Sequence, residues 1–192
     1  MRLHTPTDPD PIRLVGFLLG SGFVGLVVLF VSGAALTDPG GWRGVGLTVA
    51  WLLPLVGLSS LALLHPRSAI PVLAVLTLLP VGFGAWNVMD HDSVRGWEDS
   101  HGPVSLVLLV GVAAGLVVLG LSRPGVAGML LLIATLVPTV LGMVGAGGDW
   151  PHELSINLVA APLVATGVLF VVAAKRPNRT PESPHQPTSA RA

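Results

Sequence analysis

The chain contains no cysteine. That excludes disulfides, thiolate metal sites and thiol redox chemistry. Charge is also scarce. Asp, Glu, Lys and Arg make up 10% of the 192 residues, against about 25% in a soluble domain. So few polar residues cannot cover a water-facing surface. The formal net charge is zero, so nothing marks nucleic acid as a partner. What is abundant is apolar: 52% of the residues are of the AVILMFWYC set. The solvent that accepts such a surface is a lipid bilayer. Arginine outnumbers lysine nine to one, and Ala, Gly, Val and Leu are frequent, a usage that suits a GC-rich bacterial genome.

Six stretches carry no charge and are long enough to cross a bilayer: Leu14–Leu36, Val45–Leu64, Ala69–Met89, Pro103–Leu121, Gly125–Ala146 and Leu154–Ala174. A hydrocarbon core of about 30 Å needs roughly 20 helical residues. The runs lack the period of two that marks a membrane β-strand. The expectation is an all-α polytopic protein of six transmembrane helices, with a cytoplasmic segment 1–13, a membrane domain 14–174 and a disordered tail 175–192. The connections His65–Ser68 and Ser122–Pro124 are short enough to force helical hairpins. Asp90–Gly102 is the longest internal loop on this reading. Ser32-Gly33-Ala34 has the small residues of a leader cleavage site, but the apolar run before it is about 18 residues, longer than a leader needs.

The basic residues orient the chain. With the N-terminus in the cytoplasm, the inner segments hold Arg2, Arg13, Arg67, Arg123, Lys175, Arg176, Arg179 and Arg191. The outer loops hold only Arg43 and Arg95. Eight against two is a positive-inside pattern. It places both termini on the cytoplasmic side of the plasma membrane. Asp38, Asp90, Asp92, Glu98, Asp99, Asp149 and Glu153 then lie outside. Trp42, Trp86, Trp97 and Trp150 sit near outer helix ends, where an indole buries its ring and wets its N–H.

Gly44–Trp86 overlays Gly102–Val144 without a gap at a shift of 58, with 13 of 43 positions identical. The matches include Gly57/Gly115, Leu61/Leu119, Pro66/Pro124, Thr77/Thr135, Pro80/Pro138 and Gly84/Gly142. The unit is a two-helix hairpin, spans two–three and four–five, and both copies point the same way. It is a parallel repeat. Small residues four apart, at Gly16/Gly20, Ser21/Gly25, Gly111/Gly115, Gly142/Ala146 and Ala161/Ala165, let helix backbones approach. They serve packing within the bundle or a homo-oligomer or membrane-protein partner.

Known catalytic motifs fail. His152-Glu153 begins HExxH, but Ile156 replaces the second ligand. Gly57-Leu58-Ser59-Ser60 is not GxSxG. Gly20-Ser21-Gly22 is too short for the GxSG of a rhomboid-type protease. A lone His65 cannot make a bis-histidine haem site. No ionisable residue lies mid-span, which argues against a proton- or ion-coupled pump. Two features remain. Thr77 with Pro80, and Thr135 with Pro138, interrupt equivalent helices of the repeat, as paired breaks do at transporter sites. Each proline frees the carbonyl four residues back, at Leu76 and Ala134. On the outer side, His91, His101 and His152 stand with Asp99, Asp149 and Glu153. Imidazole and carboxylate are the ligands a divalent transition metal takes without thiols. Helix capping and the helix dipole account for the same acids.

The leading functional expectation is a non-catalytic interaction or accessory component of the plasma membrane, without a cofactor. A small carrier or channel-like transporter is the second reading. A metal-binding protein of the outer face is the third.

Overall fold

The computed structural model describes residues 10–37, 41–101, 104–145 and 158–176, apart from the side chains of 99–101. Among them are seven α-helices, one 3-10 turn and no strand. The helices are α1 (Pro11–Ala35), α2 (Gly41–Leu64), α3 (Pro66–Met89), α4 (His91–His101), α5 (Val104–Leu119), α6 (Pro124–Gly145) and α7 (Ala161–Lys175). The turn Leu158–Ala160 leads into α7.

Local signals set the boundaries. The Asp10 carboxylate accepts the Ile12 N–H at 3.2 Å, and Pro11 opens α1. Proline has no N–H to lose in a first turn. Pro66 and Pro124 open α3 and α6 in the same way. One non-helical residue, His65, joins α2 to α3. Residues 120–123 join α5 to α6, and the Ser122 hydroxyl donates to Leu119 O at 3.2 Å. Both connections are the tight hairpins that the sequence requires.

Among the described residues, five helices are long and apolar enough to cross a membrane: Pro11–Ala35, Gly41–Leu64, Pro66–Met89, Pro124–Gly145 and Leu158–Lys175. Helix α5 is apolar throughout but has 16 residues, about 24 Å at 1.5 Å per residue. Its setting explains how it stays apolar at that length. The five long helices close a ring, α1–α2–α3–α6–α7 and back to α1, and α5 packs on α1, α2, α3 and α6. Val110, Val112, Ala113, Leu116, Val117 and Leu119 of α5 are buried. The ring helices do the opposite. Leu29, Phe30, Leu53, Leu64 and Val144 are at least 65% exposed. Water penalises that surface and lipid does not, so the arrangement is compatible with a membrane-embedded protein.

Lipid tails are as apolar as leucine, so packing rather than hydrophobicity must hold such helices together. Phe170 of α7 is wholly buried. It fills the space left by Gly120 beyond α5 and Gly16 on α1. Helices α6 and α7 meet at Gly128 and Gly167, where a Cβ on Gly128 would stand 2.7 Å from Gly167 O. Gly20 faces Val117 and Thr166. The pair Gly16/Gly20 therefore packs as expected. Gly25 and Gly111 have open space beside them, so the spacing alone does not identify a contact.

The segment read as a long loop is largely helix α4. The Asp90 carboxylate accepts the Ser93 N–H at 3.1 Å and caps it. Val94 is buried, and the Trp97 ring sits 6.0 Å from both Phe83 and Trp86. Two apolar residues three apart are enough to dock a charged helix when the receiving face is aromatic.

Candidate functional site

The fold brings one cavity of about 370 Å³ to the end of the bundle where α4 lies. Its walls come from α3, α4, α5 and α6, with Val159 and Ala160 closing one side. That volume is at the small end of the range for ligand sites.

The floor is formed where α3 and α6 cross. Pro80 and Gly84 of α3 face Pro138 and Gly142 of α6. The approach is close: a Cβ on Gly84 would stand 2.9 Å from Pro138 Cα. Leu106 and Leu109 of α5 complete the apolar part. Ala134 and Thr135 also line it. Pro138 has no N–H to offer Ala134 O, so one carbonyl of the wall lacks its helical partner. The Thr135 hydroxyl does not take that carbonyl. It donates to Leu131 O at 2.8 Å, as Thr77 donates to Leu73 O at 2.7 Å. Thr139 donates to Thr135 O at 2.8 Å.

The rim is polar. Asn87 at the end of α3 and His91 at the start of α4 are joined side chain to side chain, Oδ1 to Nδ1, at 2.9 Å. Arg95 follows one turn later and lines the same wall. Glu98 accepts the Ser105 N–H at 3.0 Å. Its charge thus meets the positive end of the α5 dipole. No ion pair joins Arg95 to Glu98 among the described residues. Just outside, hydrogen bonds from the Ser93 hydroxyl and N–H hold the Asp90 carboxyl below the ordinary aspartate range.

The six residues singled out as metal ligands are only partly placed. His91 is half-buried in the cavity wall, with Nδ1 engaged by Asn87. Asp99 and His101 lie in α4, but their side chains fall outside the described residues, as do Asp149, His152 and Glu153 entirely. Among the described residues, no three His, Asp or Glu side chains come together as a metal site would need.

The paired Thr and Pro residues do lie where a site forms: Pro80, Thr135 and Pro138 share one cavity, and Thr77 is buried beneath. Phe83, Arg95, Ser105 and Thr139 had no individual signature. A signal for them existed in spacing. Pro80, Phe83/Gly84, Asn87, His91, Val94/Arg95 and Glu98 recur every three or four residues, along α3 and again along α4 across the non-helical Asp90. The change from apolar to charged residues at Asp90 hid it.

A family model described as "Domain of unknown function (DUF7670)" matches residues 58–182, which include every residue of the cavity wall. No curated protein and no solved structure matches the chain.

Proposed function

The chain belongs to the DUF7670 family, and from that premise we propose that it is a non-catalytic membrane protein whose accessory role is to bind a small amphipathic molecule in the α3–α6 cavity. The observation that carries this is the cavity itself, with an apolar floor between two proline-interrupted helices and a rim of Asn87, His91, Arg95 and Glu98. Such a gradient suits a ligand with one polar end and one apolar body. Helix α4 is the roof. His91 Nδ1 and one oxygen of Glu98 are engaged by hydrogen bonds to Asn87 and Ser105.

We place the protein in the plasma membrane with six spans, counting α5 as the fourth, and with both termini cytoplasmic. Three observations support this reading. Arg13, Pro124 and Arg176 share one end of the bundle. Asp90, Asp92 and Glu98 belong to the opposite end, with α4. And α5 runs from Ser105, at the cavity, to Gly120, beside Phe170. The cavity then opens to the outside.

A carrier is the second reading, favoured by the position of the cavity between equivalent helices of the internal repeat. The repeat is supported by shared burial at Ala69/Ala127, Leu73/Leu131 and Thr77/Thr135 and by the matching threonine hydrogen bonds.

Because the chain has no cysteine, single cysteines report water access directly. Thr139→Cys in the cavity should react with a membrane-impermeant thiol reagent added outside, and Leu163→Cys in the core should not. Reaction from both sides, one at a time, would favour the carrier. An inert Thr139→Cys in folded protein would overturn the proposal.

A further inference from the structure

The rim of the cavity holds two opposite charges that do not neutralise each other. Arg95 and Glu98 are three residues apart on α4, and their Cβ atoms are therefore neighbours, about 5–6 Å apart. Such a pair is within reach of closing on itself. Here both line the cavity, and no ion pair joins them among the described residues. One oxygen of Glu98 is committed to the Ser105 N–H. Arg95 has five N–H donors and no acceptor. Among the described residues, the cavity lining therefore offers one cation and one anion side by side.

Below them the wall becomes apolar within two turns. From Asn87 down to Pro80 is seven residues of α3, a depth of about 10 Å. The floor of Pro80, Pro138 and Leu109 has no charged group. A singly charged ligand would satisfy one rim charge and face the other as a like charge. A neutral apolar ligand would satisfy neither.

We infer that the cavity binds a zwitterion bearing one apolar group, its carboxylate or phosphate on Arg95 and its ammonium on Glu98. The inference rests on the cavity being a ligand site, as proposed above. Two sources share this chemistry: a free α-amino acid with an apolar side chain, and a zwitterionic lipid headgroup with the first part of its chain in the cavity. Guanidinium matches the oxyanion by a two-donor fork. Phe83, which lines the same cavity, adds to its apolar part.

The test uses the purified full chain in detergent, stripped of lipid. Binding is measured for L-phenylalanine and for zwitterionic lysophosphatidylethanolamine. Their singly charged counterparts are 3-phenylpropanoate and phenylalaninamide, and for the lipid lysophosphatidylglycerol, whose phosphodiester carries a single negative charge. Arg95→Gln and Glu98→Gln serve as variants. A glutamine in place of Glu98 still offers an oxygen to the Ser105 N–H, and Arg95 has no ion-pair partner to lose among the described residues. The expected result is that at least one zwitterion binds, and that each counterpart and each variant loses about tenfold or more. Binding of the lipid alone assigns the source as membrane, and binding of the amino acid alone assigns it as solute. Equal binding of zwitterion and singly charged counterparts, blocked by labelling Thr139→Cys, would overturn the zwitterion while leaving the cavity as a ligand site. A Thr139→Cys that stays inert to the thiol reagent would overturn both.

Discussion

Phe170 has its aromatic ring wholly inside the bundle, and two glycines make room for it. A Cβ on Gly120 would overlap the ring, and one on Gly16 would stand 3.1 Å from Phe170 Cε1. A buried ring cannot yield as the end of a flexible chain can. Gly120→Ala should therefore cost about 1–3 kcal/mol, the usual penalty of overpacking. Gly57→Ala, inside α2 with nothing within 4 Å, should be neutral or stabilising by up to about 1 kcal/mol. Reversible unfolding of both variants in detergent checks the pair, and equal stability would refute the socket. Sequence spacing pointed to Gly16 and Gly20 but had no mark for Gly120. A glycine after an apolar run reads as a helix end, and only the approach of α7 gives it a second role.

At the scale of elements, α4 is the one the sequence concealed. Its eleven residues carry few apolar side chains. Its stability therefore rests on two ends: the Asp90 cap, and the aromatic contact of Trp97 with Phe83 and Trp86. The cap gives a direction for pH. The Asp90 carboxyl is held below its ordinary range by Ser93. Its contribution is complete above the ordinary aspartate value and is lost as pH falls through the lowered folded value. Acidification through that window should loosen α4. Asp90→Ala should loosen it at neutral pH as well, and Asp90→Asn, which keeps an acceptor, should do so less. The readout is a red shift in tryptophan emission that Trp97→Phe removes. No shift in Asp90→Ala would show that the aromatic contact alone holds the helix. Since α4 supplies His91, Arg95 and Glu98, loosening it should also weaken ligand binding.

For the whole molecule, the position of the C-terminus separates two topologies. With α5 as a span there are six crossings, and a chain that starts inside ends inside. Without it there are five, and the chain ends outside. Reporter fusions after Arg67, after Arg123 and after Lys175 are expected to read cytoplasmic, and one at Asp92 external. An external reporter after Lys175 would overturn the six-span topology and the end-to-end path of α5 on which it rests.

The apolar runs, their lengths and the prolines that open α3 and α6 were determined by the sequence alone. A helix satisfies its own backbone, so its existence needs no distant partner. The paired Thr–Pro interruptions were legible for the same reason. Which helix stands at the centre was decided only in three dimensions, because in an apolar chain every helix is hydrophobic enough to be outside. The cavity was decided there too. It depends on Gly84 meeting Pro138 and on α4 folding over the gap, contacts between segments about fifty residues apart. Charge placement along the chain located Arg95 and Glu98 at one end of the bundle. That they line one wall without closing on each other is a fact of packing, since local spacing only permits the pair.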